Sequence, residues 1–129
     1  MARPPAKELT ERELEVMHVF WNREASTIGE VRDALALAGL DRAYTTVATL
    51  VRILADKGFL DQTNEARPFS YRPIRSYQDV SKRLLGDLID RVFHGSREQL
   101  LVRLLEHKSL TQAERALLKD ILRQKEKQS

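Results

Sequence analysis

Threonine and arginine side chains recur at helical spacing on one face of a single predicted helix, where they could hydrogen-bond a ligand. Thr45, Thr49 and Arg52 lie at helical spacing around Ala48, and no acidic residue falls between positions 42 and 55. In the major groove of DNA, threonine can contact a base edge or a thymine methyl group, and arginine can bond guanine or a phosphate. Solvated helix faces usually carry glutamate, lysine and glutamine instead. The face is compatible with DNA reading and with a surface helix that carries few charged side chains, and this stretch alone does not decide between the two.

The opposite face of the same stretch is apolar. Its residues follow the i, i+3, i+4, i+7 spacing of an amphipathic helix: Val47, Leu50, Val51 and Leu54. The stripe stops at Lys57-Gly58, which is typical of a helix end because glycine readily adopts the left-handed conformation that follows the last turn. We therefore expect this helix to bury one face and to present the small polar face.

Two capping boxes predict helices before this stretch. Residues 10–13 and 27–30 each read Thr-x-x-Glu, in which the hydroxyl and the carboxylate each satisfy a backbone N–H. The first helix has a wide apolar face, on which Trp21 is predicted to be a packing residue. Residues 25–28 form a short link with room for one β-bridge, and Asp41 is predicted to cap the third helix. Two helices joined by a short turn predict a helix-turn-helix.

A hairpin is predicted directly after the third helix. Residues 59–63 and 69–73 have strand character, and a turn cluster separates them. A hairpin in this place is the wing of a winged helix. Arg67 at its tip and Arg72 on the return strand are predicted to contact the DNA backbone, as is Arg42 before the helix. The alternative for Arg67 is a solvated loop arginine, and the pattern does not decide between the two.

The last part of the chain has a different pattern. Residues 76–79, 96–99 and 111–114 each carry a helix-start signal, and each opens a one-sided helix with no strand to lie on. About 50 residues of this kind bury too little surface to be comfortably stable alone. We therefore expect a symmetric dimer, and the alternative is a compact monomer with the tail folded back. The predicted interface residues are Val80, Leu84, Leu88, Val92, Leu101, Leu104, Leu105, Leu117 and Ile121.

The predicted fold class is mainly α. A winged helix-turn-helix domain with a small β wing occupies residues 1–75, and a three-helix dimerisation domain occupies residues 76–129. Residues 43–57 are predicted to read bases. The four side chains expected to do so are Thr45, Thr46, Thr49 and Arg52.

The composition excludes several kinds of protein and of site, but it does not decide whether the partner is a nucleic acid. The 129 residues include no cysteine, which removes disulfides, thiolate metal sites and cysteine nucleophiles. No apolar run approaches the roughly 20 residues of a membrane span, and no signal peptide is evident, so we expect a cytoplasmic protein. The net charge is +3, but residues 1–73 hold 10 basic and 11 acidic residues, so charge alone does not indicate nucleic acid. Histidines and glycines are isolated, so no metal site, cofactor or enzyme is predicted.

Three segments, LTERELEVMHVFW, AYTTVATLVRILADKGFL and RPFSYRP, resemble the penicillinase-repressor family of bacterial regulators. This family comprises the β-lactamase and methicillin-resistance repressors and the copper-responsive repressors. The resemblance covers residues 8–125. It implies a homodimeric transcriptional repressor that binds palindromic operators. In the β-lactam branch, it implies release when a membrane-bound sensor metallopeptidase causes the repressor to be cut in its C-terminal part.

The chain departs from the family's pattern in several places. The Asn-Phe bond that is cut in the β-lactam repressors corresponds by alignment to Arg103-Leu104, so the cleavable dipeptide is missing. The cysteine pair of the copper branch is absent, which excludes copper sensing of that kind. Some relatives carry basic side chains where this chain has Thr45 and Ala48. A second function stays open on sequence grounds. It is a winged-helix protein-interaction module that scaffolds a membrane partner, supported by the near-neutral N-terminal part.

Overall fold

The structure, a computed structural model, describes residues 9–128. These residues form six helices and three short strands. In chain order they are α1 Glu11–Arg23, β1 Ser26–Thr27, α2 Ile28–Leu37, α3 Tyr44–Asp56, β2 Leu60–Gln62, β3 Ser70–Pro73, α4 Tyr77–Val92, α5 Arg97–His107 and α6 Gln112–Gln128. The predicted fold, mainly α with a small sheet, is confirmed. Residues 1–8 of the predicted first domain lie outside the described residues.

Local hydrogen bonds begin α1 and α2 where the capping boxes predict. The Thr10 hydroxyl accepts from the Glu13 N–H at 3.1 Å, and the Glu13 carboxylate accepts from the Thr10 N–H at 2.8 Å. Thr27 and Glu30 repeat the arrangement at 3.2 and 2.8 Å. Each box pairs two otherwise unsatisfied donors of the first helical turn, so both predicted helix starts are confirmed.

The third helix begins later than a cap at Asp41 requires, so that prediction is wrong. The residue before the helix is Ala43, whose backbone is extended and which supplies no side-chain cap. Arg42 reaches instead to Glu15 of α1, with hydrogen bonds of 3.0 to 3.3 Å. Because the helix starts only at residue 44, Asp41 lies too far from the first turn to cap it.

One apolar core holds α1, α2 and α3 against the small sheet. Its buried side chains are Val16, Met17, Phe20, Val31, Leu35, Val47, Val51, Leu54, Phe59, Leu60 and Val80. The three members from α3 have no exposed surface, and Leu50 packs against the core partly buried, which confirms the predicted apolar stripe. Trp21 lies half-buried against the core, as expected of a packing residue. This packing fixes the rotation of α3 and turns its opposite face to solvent.

The three strands form an antiparallel sheet in the order β1-β3-β2. β2 and β3 are the predicted hairpin, and β1 joins it with Ser26 opposite Tyr71. Asn64 closes the loop between the hairpin strands. Its side-chain oxygen accepts from the Ser70 N–H at 2.9 Å, and its amide donates to the Pro68 carbonyl at 3.1 Å. The predicted wing and the short link before α2 are therefore confirmed.

The described chain divides into two compact units, the first ending at Leu84 and the second beginning at Leu85. Two predicted dimer residues fall in the first unit. Val80 is only 6% exposed within its core, and Leu84 is half-buried against that core. Val80 is therefore a core residue of the first unit, because the first turn of α4 packs there. The domain boundary between residues 75 and 76 stays a prediction.

In the second unit, the leucine-rich faces are exposed. Ser96 starts α5 by accepting from the Gln99 N–H at 3.1 Å, and Thr111 and Glu114 form a capping box before α6. None of the side chains in α5 is buried. The exposed predicted dimer residues are Leu88, Val92, Leu101, Leu104, Leu105, Leu117 and Ile121.

Candidate nucleic-acid interface

α3 presents a polar face on the side opposite the core. Thr45, Thr49 and Arg52 are exposed, and Thr46 is half-buried beside them. Among the described residues, Arg52 has no hydrogen-bond or ion-pair partner. The four side chains predicted to read bases therefore lie on one helix, and three of them are accessible to a ligand.

The hydroxyl of Thr49 is already oriented by its own helix. It donates to the carbonyl of Thr45, one turn earlier, at 2.9 Å. With its proton engaged in this way, the oxygen keeps lone pairs that can accept from a ligand. The γ-methyl group adds an apolar contact. In a major groove, this combination suits an amino group of adenine or cytosine, or the methyl group of thymine.

A Schellman turn ends α3 and leads the chain into the wing. The Phe59 N–H donates to the Leu54 carbonyl at 2.9 Å, and the Gly58 N–H donates to the Ala55 carbonyl at 3.1 Å. Gly58 has a φ of 86°, which confirms the predicted helix-ending glycine. The Arg75 guanidinium lies 5.3 Å from the centroid of the Phe59 ring, and its Nε donates to the Gly58 carbonyl at 3.3 Å. These contacts fix the path from the helix into β2.

Two ion pairs fasten both ends of α3 to α1. At the end of α3, the Lys57 ammonium donates to both carboxylate oxygens of Glu13 at 2.9 Å. Before its start, Arg42 pairs with Glu15 at 3.0 Å. The Glu13 side chain is 3% exposed, whereas that of Lys57 is 26% exposed. Two carboxylates on the first turns of α1 thus hold the helix that carries the polar face.

The same pairs shift the pKa values of the groups that they join. Burial by itself raises the pKa of Glu13, but the Thr10 N–H and the Lys57 ammonium stabilise the carboxylate, and the net pKa lies below its ordinary value. Hydrogen bonds to the Glu15 carboxylate raise the pKa of Arg42. The predicted phosphate contact of Arg42 loses support, because its guanidinium already has an anionic partner within the protein.

Both predicted wing arginines lie at exposed positions. Arg67 is in the hairpin loop, with its guanidinium 5.3 Å from the centroid of the Phe69 ring. Arg72 on β3 lies opposite Asp61 of β2, with 3.7 Å between guanidinium and carboxylate. An exposed pair at this distance contributes little stability, so Arg72 can exchange Asp61 for a phosphate. The structure thus places both arginines on the wing, and their contact with DNA stays a prediction.

A further pair of side chains flanks the start of α3 and has no counterpart among the predicted site residues. The Arg32 guanidinium of α2 lies 5.7 Å from the centroid of the Tyr44 ring. Arg32 also bonds the neighbouring Asp33 carboxylate at 3.2 Å. Twelve positions separate the arginine from the tyrosine, and only the packing of α2 against α3 joins them, so no local spacing rule signals the pair.

A family model described as penicillinase repressor matches residues 9–124. The chain belongs to the penicillinase repressor family. Its members are DNA-binding transcriptional repressors and not enzymes. The polar face of α3 and the wing therefore belong to a DNA-binding protein, as the resemblance implies.

Similar proteins span most of the chain. The methicillin resistance regulatory protein MecI of Staphylococcus aureus is 25% identical over 118 residues, which are 92% of this chain and 95% of MecI. The transcriptional regulator BlaI of Mycobacterium tuberculosis is 32% identical over 108 residues, covering 82% and 78% of the two chains. The solution structure of the DNA-binding domain of the repressor BlaI matches with a TM-score of 0.50 and 30% identity, over 61% of this chain and 93% of that domain. A MarR family protein from Bacillus stearothermophilus shares the fold, with a TM-score of 0.50 at 16% identity over 95% and 76% of the two chains.

Two structural observations concern other kinds of site. Across residues 9–128, no group of three or more histidine, aspartate or glutamate side chains is placed to hold a metal ion. No helix in the described part of this repressor is both long and apolar enough to cross a membrane.

Proposed function

We propose that this repressor binds a palindromic operator as a homodimer, with α3 of each protomer in the major groove. The observation that carries the proposal is the polar face of α3. Thr45, Thr49 and Arg52 are exposed, whereas Val47, Val51 and Leu54 of the apolar stripe have no exposed surface and Leu50 is partly buried. In a helix-turn-helix, the second helix reads base edges through such side chains. Repression is steric, because the bound dimer occludes the promoter from polymerase in the cytoplasm.

The proposed base contacts follow from the chemistry of each side chain. Arg52, which has no partner among the described residues, forms a bidentate contact with guanine or binds a phosphate. Thr49 accepts from an amino group of adenine or cytosine, because its own proton is bonded within the helix. Thr45 and Thr46 complete the reading surface at the N-terminal end of α3.

The proposed backbone contacts come from the wing. Arg67 and Arg72 are both exposed, and neither is held by a buried partner. Contacts of this kind position the protein on the duplex without reading sequence. The logarithm of the affinity falls linearly with the logarithm of the salt concentration, and we call the steepness of this line the salt slope. Each phosphate that the protein neutralises adds about 0.9 to the salt slope.

Dimerisation is proposed for the second unit. Its leucine and valine side chains are 43% to 60% exposed in the isolated chain at Leu88, Val92, Leu101, Leu104, Leu105 and Leu117. Burying one such side chain contributes about 1.5 to 3 kcal/mol. A symmetric dimer buries these side chains from both protomers. It also provides two copies of α3, one for each half of a palindrome.

Release of the operator is proposed to follow damage to this dimer by a signal-dependent protease. A membrane-bound sensor metallopeptidase is the proposed partner. Arg103 and Leu104 are exposed on α5 of the single chain. Because the Asn-Phe dipeptide is absent there, the proposed protease would have to cut a different sequence. A cut in α5 would remove part of the leucine surface. A monomer keeps only half of the phosphate contacts, which costs orders of magnitude in affinity at cellular salt.

The test is fluorescence anisotropy with overlapping duplexes from the region upstream of the protein's own gene, against scrambled duplexes, at two salt concentrations. We expect tight, salt-sensitive and selective binding with two chains per site. Arg52→Ala should lower the affinity for the selected duplex by about 1 to 3 kcal/mol per protomer. Thr49→Val keeps the β-branched shape and the methyl contact but removes the hydroxyl, so any loss reports the accepted hydrogen bond.

The matched control is Arg23→Ala, an exposed arginine at the end of α1, outside α3 and the wing. It should bind like the wild type. Feeble and equal binding to all upstream and scrambled duplexes would contradict operator reading. That result would favour the protein-interaction function instead.

A further inference from the structure

The start of α3 is flanked by a stacked cation. The Arg32 guanidinium lies 5.7 Å from the centroid of the Tyr44 ring, a distance at which cation and ring attract each other. The Arg32 side chain is 45% exposed and Tyr44 is 47% exposed. The pair is therefore ordered by a contact within the protein and is still accessible to a ligand.

Arg32 and Tyr44 lie in the part of a helix-turn-helix that faces the DNA backbone. In that motif, the N-terminal residues of the second helix enter the major groove, while the first helix crosses the backbone. Tyr44 is the first residue of α3, the second helix of the motif, and Arg32 lies on α2, the first. The contact between them therefore lies where α2 meets the start of α3.

Near the start of α3, Arg32 is held by its ion-pair partner less firmly than Arg42 is. Arg42, the nearest arginine in sequence to the start of α3, is held by Glu15. Within residues 9–128, the one anionic partner of Arg32 is Asp33, at 3.2 Å, and that carboxylate is 70% exposed. An exposed ion pair of this kind contributes little stability, so a phosphodiester can replace the Asp33 carboxylate as the partner of Arg32.

We propose that Arg32 and Tyr44 form a backbone-binding site for a DNA phosphodiester at the N-terminal edge of the reading helix. The guanidinium donates to the phosphate oxygens, and the phenol hydroxyl donates to the same strand. The Tyr44 ring holds the guanidinium over the edge of the groove. The site reads no bases. It rests on the proposed function, because it assumes that α3 enters the major groove.

The test compares Arg32→Gln with Arg23→Gln by fluorescence anisotropy, on the upstream duplexes and on scrambled duplexes over a series of salt concentrations. Both arginines are exposed and paired with one acid, so Arg23 is a matched control. Losing one phosphate contact lowers the salt slope by about 0.9 per protomer and the affinity by about fivefold at 0.15 M salt. We expect these losses for Arg32→Gln on both duplexes, and no change for Arg23→Gln.

Two further variants separate charge from geometry. Arg32→Lys keeps the charge, so the salt slope should stay at the wild-type value while the affinity falls with the lost stacking and bidentate geometry. Tyr44→Phe keeps the ring and should lower affinity without changing the slope. Thermal unfolding of each variant should match the wild type, because these side chains are exposed.

The possible failures are distinguishable. If the wild type selects an upstream duplex but Arg32→Gln has the same salt slope as Arg23→Gln, the phosphate site is overturned and the operator function stands. If Arg32→Lys loses slope as fully as Arg32→Gln, the charge at this position is not the source of the effect, and the site is also overturned. If the wild type shows no selectivity on any duplex, the proposed function fails first.

Discussion

Replacing Lys57 with methionine tests the buried ion pair that fastens the end of α3 to α1. The ammonium of Lys57 supplies two hydrogen bonds of 2.9 Å to a carboxylate whose side chain is 3% exposed. Without Lys57, that carboxylate keeps the Thr10 N–H at 2.8 Å and loses its counter-charge. Removing one partner of a fully buried pair costs about 3 to 5 kcal/mol. We expect about 3 kcal/mol at neutral pH, because Lys57 itself lies partly in water.

Replacing Glu13 instead of Lys57 should lower the free energy of unfolding by less. Glu13→Gln keeps an oxygen for the Thr10 N–H and leaves the positive charge on Lys57, whose side chain is 26% exposed. We expect a loss of about 1 to 1.5 kcal/mol, close to one hydrogen bond. The double variant Glu13→Gln/Lys57→Met should lose less than the sum, with a coupling energy of at least about 1 kcal/mol.

The pH dependence gives the sign of the electrostatic effect. In the wild type, the lowered pKa of Glu13 contributes stability that is present above the unfolded value of 4.5 and is lost as pH falls through the folded value. Lys57→Met removes the ammonium that lowers the pKa of Glu13, so the folded pKa of Glu13 should be higher in the variant than in the wild type. The difference in unfolding free energy between the two proteins should therefore become smaller as the pH falls through the folded pKa of Glu13 in the variant.

Urea unfolding monitored by tryptophan fluorescence measures these differences. Trp21 is the chain's single tryptophan and lies half-buried against the core of the first unit, so it reports the unit that contains the pair. All proteins are compared at one protein concentration, and Arg23→Met serves as the control for an exposed pair. Equal losses of stability for Lys57→Met and Glu13→Gln, or a stability difference that does not depend on pH, would show that Lys57 does not stabilise a buried Glu13 carboxylate.

Two other variants test the interface and the dimer. Glu15→Gln removes the anionic partner of Arg42, so binding to a scrambled duplex should strengthen and the salt slope should rise by about 0.9 per protomer. An unchanged salt slope in an anisotropy titration would show that Arg42 does not become available to a phosphate. Leu104→Glu places a charge in the exposed leucine surface, so sedimentation should show a monomer at concentrations where the wild type is a dimer, while Gln99→Glu on the same helix should leave the dimer intact. A dimeric Leu104→Glu variant would remove α5 from the proposed interface.

Local rules predicted the elements that depend on neighbours in sequence. Both capping boxes at the start of the chain join residues three positions apart, and the turn at Gly58 closes bonds that span a few residues. The apolar stripe of α3 likewise repeats at helical spacing, and three of its four side chains are fully buried. Such signals are complete within one stretch of sequence, so the order of elements and the wing followed from them.

What sequence could not supply is the set of contacts between distant positions. Arg42 has the right type and place for a phosphate contact, but it meets Glu15, 27 positions earlier. Val80 shares a helical stripe with Leu88, and only packing shows that Val80 belongs to the core of the first unit. The stacking of Arg32 on Tyr44 depends in the same way on how α2 and α3 pack.

Hydroxyl-radical footprinting of the wild-type protein on its own upstream DNA distinguishes a dimer that reads two half-sites from other modes of binding. A dimer that reads a palindrome with two copies of α3 should protect two symmetric stretches, centred one helical turn or a multiple of one turn apart. The protection should disappear with Arg52→Ala at a protein concentration that saturates the wild type. A single protected stretch, or uniform protection along the duplex, would contradict a homodimer that reads two half-sites.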